Sequence, residues 1–211
     1  MRSSRNSSEF TQHTVRKVMA NPAPAPARVP APRDLEVPLG LESGVVRLVP
    51  YNPAWLRLFI VERSRIEAAV GRAGIDLKIE HTGSTSIPGV CAKPILDILA
   101  GASDTRTLQR AIDALQSAEY QYRGEQGIPG RHFFRRGEPR QYHVHLTMIA
   151  SEFWRDHLAF RDYLRTHRDT AAAYGALKQA LAERYPRDRE SYIEAKTGFV
   201  EDVLRKAGRR P

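Results

Sequence analysis

The 211-residue sequence contains one cysteine, Cys91. That excludes an intrachain disulfide and any zinc site built on several thiolates, and it fits a reducing compartment. Cys91 itself reads as a small buried residue before a strand. No apolar run approaches the ~20 residues of a membrane span, and the basic N-terminus lacks the apolar core of a secretory leader. The expectation is a cytoplasmic protein without a membrane partner. Internal repeats are absent. No aromatic stacking platform or RNA-recognition motif is present, which disfavours nucleic acid as a partner. Acidic residues are the minority: 24 Asp and Glu against 33 Lys and Arg give a net charge of +9. Such a balance favours anionic partners without choosing among them.

What is there begins with a tail. Residues 1–42 are rich in Ser, Arg, Pro and Ala, with proline alternating with alanine from Pro22 to Pro32. This composition predicts a disordered, semi-rigid spacer that cannot build a core. An α/β core is expected over residues 43–150. Val45 to Val49 reads as a short strand, and Asn52-Pro53 opens a helix reaching Val70. Strands follow at Leu77–His81 and Pro94–Ala100, then a helix capped by Ser103 or Asp104. Tyr120–Arg123 reads as a short strand, and Arg131–Arg135 with Gln141–Ala150 as an antiparallel pair. Residues 151–208 read as helical: Glu152–Arg168, Thr170–Tyr185 and Arg189–Ala207. The fold class is α/β (α+β), a mixed sheet with flanking helices and a helical C-terminal portion.

The chemistry concentrates between Glu80 and Asp97. Gly83, Ser84, Thr85 and Ser86 form a polar loop whose hydroxyls and N–H groups suit a phosphate. Lys93 adds a positive charge. Asp97 sits in an apolar strand, where an unpaired carboxylate is costly. It reads equally as a metal ligand beside that loop or as an ion-pair partner of Lys93 or His81. His143 and His145 share one strand face and could bind a divalent metal or a phosphate. Such pairs are also common without a ligand, and this one gains weight if its strand borders that of Asp97. Arg161 with Arg165, Tyr174 with Lys178 and Tyr192 with Lys196 are i, i+4 pairs on helices. They read as solvated faces or as a basic wall, to which Arg131, His132, Arg135 and Arg136 could belong.

The order His81-x-Gly83-Ser84-Thr85, Gly89, Lys93-Pro94-x-x-Asp97 resembles the signature of the GrpB family, uncharacterised protein family 0157. Trp55, His143-x-His145, Phe160-Arg161-Asp162-Tyr163-Leu164, Tyr174 with Lys178 and Tyr192 with Lys196 extend the resemblance from Val45 to Leu204. It implies the nucleotidyltransferase (polymerase β-like) fold, with a nucleoside triphosphate or related phosphorylated small molecule as ligand and Mg²⁺ as cofactor. On that template Asp97, Lys93 and His145 are the catalytic candidates. Gly83, Ser84, Thr85, Lys93, Arg161, Arg165 and Lys178 are the nucleotide-binding ones. Asp97, Glu80, His143 and His145 are the metal candidates. Related domains are fused to dephospho-CoA kinase, which implies a partner enzyme in CoA metabolism. One departure bears on mechanism. Active nucleotidyltransferases place two carboxylates two residues apart on this strand, whereas Ile95 and Leu99 flank Asp97 here. A lysine followed by a single aspartate distantly resembles (p)ppGpp synthetases. Two functions therefore follow: a Mg²⁺-dependent nucleotidyltransferase with an unknown acceptor, or a catalytically silent module binding a nucleotide or CoA-like ligand for a partner enzyme.

Overall fold

The structure, a computed structural model, describes residues 39–209. The tail expected over residues 1–42 lies outside the described residues as far as 38. The remainder of that stretch is packed rather than loose. The Gly40 N–H donates to the Pro94 carbonyl at 2.7 Å, Leu41 is buried, and the Arg140 guanidinium donates to the Leu41 and Glu42 carbonyls at 3.0 and 2.9 Å.

Helix α1 (Ala54–Gly71) leads into strand β1 (Lys78–Thr82), then β2 (Leu96–Ala102), α2 (Thr105–Gln116), β3 (Gln121–Tyr122), β4 (His132–Arg136) and β5 (Tyr142–Met148). Four helices close the chain: α3 (Glu152–Thr166), α4 (Arg168–Arg184), α5 (Arg189–Glu194) and α6 (Thr197–Lys206). The start signals act as read. Asn52 Oδ1 accepts from the Ala54 N–H at 2.9 Å, and Asp104 Oδ1 accepts from the Thr107 N–H at 2.8 Å. Each satisfies a donor that the helix itself leaves open.

The strands form one mixed sheet in the order β1-β2-β5-β4-β3, with β2 and β5 parallel and the other pairs antiparallel. The expected α/β class with flanking helices and a helical C-terminal portion is the one found. Strand alternation divides the sheet into two faces. Leu96, Ile98, Ala100, Val144, Leu146 and Phe134 point to one side, where they build the main core with Trp55, Phe59 and Ile66 of α1 and Ile112 and Leu115 of α2. Burying each such side chain contributes about 1.5–3 kcal/mol. Asp97, His143, His145 and Phe133 lie on the other face, toward the C-terminal helices. There Trp154 of α3 approaches Gly101 so closely that a Cβ would meet its ring at 2.6 Å. A second core joins Leu164, Tyr174 and Val203 of these helices to Ile87 and Val90, just after the Gly-Ser loop.

Two expected elements differ. Residues 45–49 form no strand: Val49 makes an isolated bridge to Ala92, and the Val46 N–H pairs with the Pro186 carbonyl at 2.9 Å. The segment serves packing instead, with Val46 buried against Leu181 and Tyr192. The single helix read over 189–207 is two, α5 and α6, parted at Ala195 and Lys196.

Candidate functional site

The Gly-Ser loop is built to press against a carboxylate. Gly83 has φ 67° and ψ −176°, a conformation essentially confined to glycine. A Cβ there would lie 2.5 Å from Asp97 Oδ2. From Gly83 the chain enters a tight 3-10 turn, Ser84–Ser86, in which Ser86 Oγ donates to the Gly83 carbonyl at 2.7 Å. His81 braces the loop from the far side of β1. Its Nε2 lies 3.0 Å from Thr85 Oγ1, and its ring stacks on Phe59 with centroids 4.7 Å apart. Burial, then the positive charge of Arg165, lowers its pKa to about 4, so it is neutral at physiological pH. His81 stands opposite Ile98 on the core face, with Thr85 and not Asp97 as its hydrogen-bond partner.

The partners of Asp97 are the two histidines. Because β5 runs parallel beside β2, His143 stands opposite Asp97 and His145 opposite Leu99. His143 Nδ1 is 3.1 Å from Asp97 Oδ1, and His145 Nε2 is 3.5 Å from the same oxygen. Burial acts to raise the Asp97 pKa, but the hydrogen bonds from His143 and His145 outweigh it and hold the carboxyl well below its usual range. Burial keeps the His143 pKa below its ordinary value against the pull of Asp97. One carboxylate oxygen and two imidazole nitrogens, all within 4.8 Å of one another, form a group able to hold a metal ion. Mg²⁺ prefers an octahedron of oxygens, and a donor set two-thirds imidazole does not fit it.

Two cavities meet at Asp97. One, of about 170 Å³, is lined by Ser84, Thr85, Asp97 and His143 on the sheet side, and by Lys93, Arg140, Lys178, Arg189 and Lys196 around it. Five cations thus face one carboxylate. The i, i+4 tyrosine–lysine pairs belong to this wall and not to solvated faces. Lys178 Nζ lies 4.6 Å above the Tyr174 ring, and the Tyr192 ring carries Lys93 and Lys196 at 4.4 and 4.5 Å. Crowding of like charge in a buried place lowers lysine pKa values. For Lys93 burial, then Lys196, Arg189 and Arg140, brings the pKa to about 7. Lys178 is likewise lowered to about 7, chiefly by burial, and Lys196 to about 8, by burial and then Arg189. The second cavity, of about 370 Å³, shares Ser84, Asp97 and Lys196 with the first and is otherwise lined by Gly83, Thr82, Phe153, Asp156, His157, Phe160 and Tyr174, among others.

The structure thus gathers Gly83, Ser84, Thr85, Lys93, Asp97, His143 and Lys178 around the two cavities, with His145 behind Asp97. It does not bring Arg161, Arg165 or Glu80 there. Arg161 is buried and fully engaged, donating to Glu80 Oε2 and the His81 carbonyl at 2.9 Å each and to Asp162 Oδ1 at 2.7 Å. Arg165 donates to the Ser86 carbonyl at 2.9 Å. Both support the loop from outside. Arg136 lies on the opposite sheet face, where it and the Tyr120 hydroxyl bind the buried Glu62 carboxylate. Arg131 and Arg135 flank Phe133, their guanidinium carbons 5.2 and 5.4 Å from its ring centroid. Sequence reasoning missed Arg140, Arg189, Phe153 and His157. Phe153, His157 and Phe160 recur at helical spacing, a signal open to reading. Arg140 and Arg189 stand in no motif, and only the tertiary fold brings them in.

The model of the family described as GrpB protein matches residues 45–206. This chain belongs to the GrpB family. A UPF0157 protein of Pseudomonas aeruginosa is 40% identical over 167 residues, covering 77% of this chain and 67% of the relative. The glutamate-rich protein GrpB of Alkalihalophilus pseudofirmus is 34% identical, covering 79% of this chain and 98% of the relative. The crystal structure of conserved protein GrpB from Enterococcus faecalis superposes with a TM-score of 0.68 at 32% identity, covering 76% of this chain and 96% of that one. No helix among the described residues is long and apolar enough to cross a membrane.

Proposed function

We propose that this GrpB-family chain binds the polyphosphate end of a nucleoside triphosphate, or of a related phosphorylated small molecule, in the cation-lined cavity. Its activity on this reading is nucleotidyl transfer to an acceptor in the adjoining cavity. The observation that carries it is the ring of Lys93, Arg140, Lys178, Arg189 and Lys196 beside the Gly-Ser loop, with Asp97 as the one carboxylate in the wall. So many cations around a small cavity repel one another, and a polyanion is the ligand that relieves them. The 170 Å³ space suits phosphates rather than a whole nucleotide, since sites for drug-sized ligands run to about 300 Å³ or more. The nucleoside or acceptor then occupies the larger cavity, whose Phe153, Phe160 and Tyr174 offer ring faces.

In this reading Lys93 and Lys178 neutralise charge on the phosphates, the way preorganised cations act in phosphoryl transfer. Ser84 and Thr85 orient them. Asp97, held ionised by His143 and His145, faces the junction where the transferred group would lie. Mg²⁺ enters only as the counter-ion carried on the nucleotide's own phosphates. The second function, binding without transfer in the service of a partner enzyme, is favoured by one observation: Ile95 and Leu99 are buried and apolar, and Glu80 is taken by Arg161, so neither the strand of Asp97 nor β1 beside it supplies a second carboxylate.

A thermal-shift panel of nucleotides with and without Mg²⁺ tests the binding. A ligand at a hundred times its Kd adds about 2.7 kcal/mol, a rise of roughly 5–11 °C for a chain of this size. Pyrophosphate release from the nucleotide that binds separates transfer from silent binding. No shift with any phosphorylated ligand overturns both readings.

A further inference from the structure

We infer that Asp97, His143 and His145 form a resident site for a divalent transition-metal ion of the class that accepts imidazole, such as Zn²⁺ or Fe²⁺, and not for Mg²⁺. The inference rests on the reading of Asp97 as the centre of the site.

Its first support is spacing. Two donors each about 2.1 Å from a common ion, at angles between octahedral and tetrahedral, lie roughly 3.0–3.4 Å apart. The separations from Asp97 Oδ1 are 3.1 Å to His143 Nδ1 and 3.5 Å to His145 Nε2, in or just beyond that range, and the three donors lie within 4.8 Å of one another, so an ion fits once the two rings draw together around it. It would take the place of the contacts that the two ring nitrogens now make with one oxygen. The second support is what aims the rings. The nitrogens facing away, His143 Nε2 and His145 Nδ1, are buried with no hydrogen-bond partner among the described residues. Neither ring is therefore held by a bond on its far side, and the Asp97 side alone sets the polar orientation of both. A carboxylate held for structure needs one imidazole; here two converge on Oδ1, while Oδ2 turns to Gly83.

The third support is the surroundings. Phe133 packs against both rings, with centroids 5.0 Å from His143 and 5.2 Å from His145. The floor beneath the ligands is therefore apolar, and the open side is Asp97, which lines both cavities. Three protein donors with the remaining positions open toward a ligand is the arrangement of a working metal site rather than a closed structural one. Donor type then selects the ion. Imidazole suits first-row transition metals, whereas Mg²⁺ requires oxygen and dehydrates reluctantly. Two histidines and one carboxylate is a donor set for the former.

The test uses the full chain, free of any polyhistidine tag and stripped with a chelator. Co²⁺ is titrated and its ligand-field absorption followed, with Mg²⁺ as competitor; in parallel, inorganic tripolyphosphate is titrated in the presence of EDTA. The expected result is a 1:1 Co²⁺ complex that about a hundredfold excess of Mg²⁺ fails to displace, lost in His143→Ala and in Asp97→Asn. Mg²⁺ competing at comparable concentration overturns the inference. So does a chain that binds tripolyphosphate but takes up no Co²⁺, which leaves the phosphate-binding reading standing. A chain that binds neither overturns both. The competition on the wild-type protein decides even if a variant fails to fold.

Discussion

Replacing Lys178 by methionine separates a ligand-binding cation from a structural one. Lys178 is 2% exposed. Its ammonium donates to the Cys91 carbonyl, and among the described residues it forms no ion pair with a carboxylate. Burial, then repulsion from Lys196 and Lys93, brings its pKa from 10.5 to about 7, with only Cys91 pulling the other way. At neutral pH that places several kcal/mol against the charged form, which the substitution removes. Methionine keeps most of the side-chain volume and loses one charge-assisted hydrogen bond of about 1.5–3 kcal/mol. The two effects oppose, so the net change in stability is about 1–2 kcal/mol in either direction, or roughly 2–8 °C in melting temperature. Polyphosphate affinity has no such compensation. Losing one charged hydrogen bond to a phosphate, about 1.5–3 kcal/mol, weakens binding roughly 10- to 150-fold. Melting followed by circular dichroism and calorimetric titration with inorganic tripolyphosphate measure both on one sample. A melting temperature that collapses while affinity holds would show that Lys178 is a tether for the Cys91 loop and refute the reasoning.

The opposite pattern is expected for Arg161→Ala. It leaves the partly exposed Glu80 unpaired and uncaps the His81 carbonyl, at about 1–3 kcal/mol each; a melting temperature within 2–3 °C of wild type contradicts this assignment. Gly83→Ala places a Cβ against the Asp97 carboxylate and forces a glycine-only conformation, costing about 1–3 kcal/mol for the backbone alone, with loss of phosphate binding; a variant with both properties unchanged removes the loop from the site. The cavity lysines titrate in the folded chain at about 7, 7 and 8, against an ordinary lysine value of 10.5 once unfolded. Between these values the unfolded chain binds more protons, so ligand-free stability rises with pH from 7 toward 10, as far as these groups govern it. Tripolyphosphate affinity falls over the same range, because the anion binds the protonated amines. Melts and titrations at pH 6, 7.5 and 9 check both signs, and an affinity that climbs with pH counts against the lysine cradle.

The alternation of apolar residues in β5, the apolar run of β2 and the caps at Asn52 and Asp104 made the elements legible, because local hydrogen bonds and strand faces are local properties. The partnership of Gly83 with Asp97 was legible too, since Asp97 lies thirteen positions after Ser84, enough for the chain to return on itself. What the sequence did not contain was which face each cation would take. Arg161 and Arg165 are spaced like a phosphate clamp, but α3 turns them toward Glu80 and Ser86. Lys178 and Lys196 have the same spacing to their tyrosines and face the cavity. The helices pack by their apolar residues, and the polar ones follow. The weight of His143 and His145 likewise depended on strand order: β5 beside β2 makes them partners of Asp97, and no local pattern states that order.

The most direct test of the central reading is a calorimetric titration of the wild-type chain at pH 7 with inorganic tripolyphosphate, set against adenosine. The cradle predicts saturable 1:1 binding of tripolyphosphate, weakening as salt is raised, and much weaker binding of adenosine. Tripolyphosphate that gives no saturable binding at millimolar concentration would contradict it.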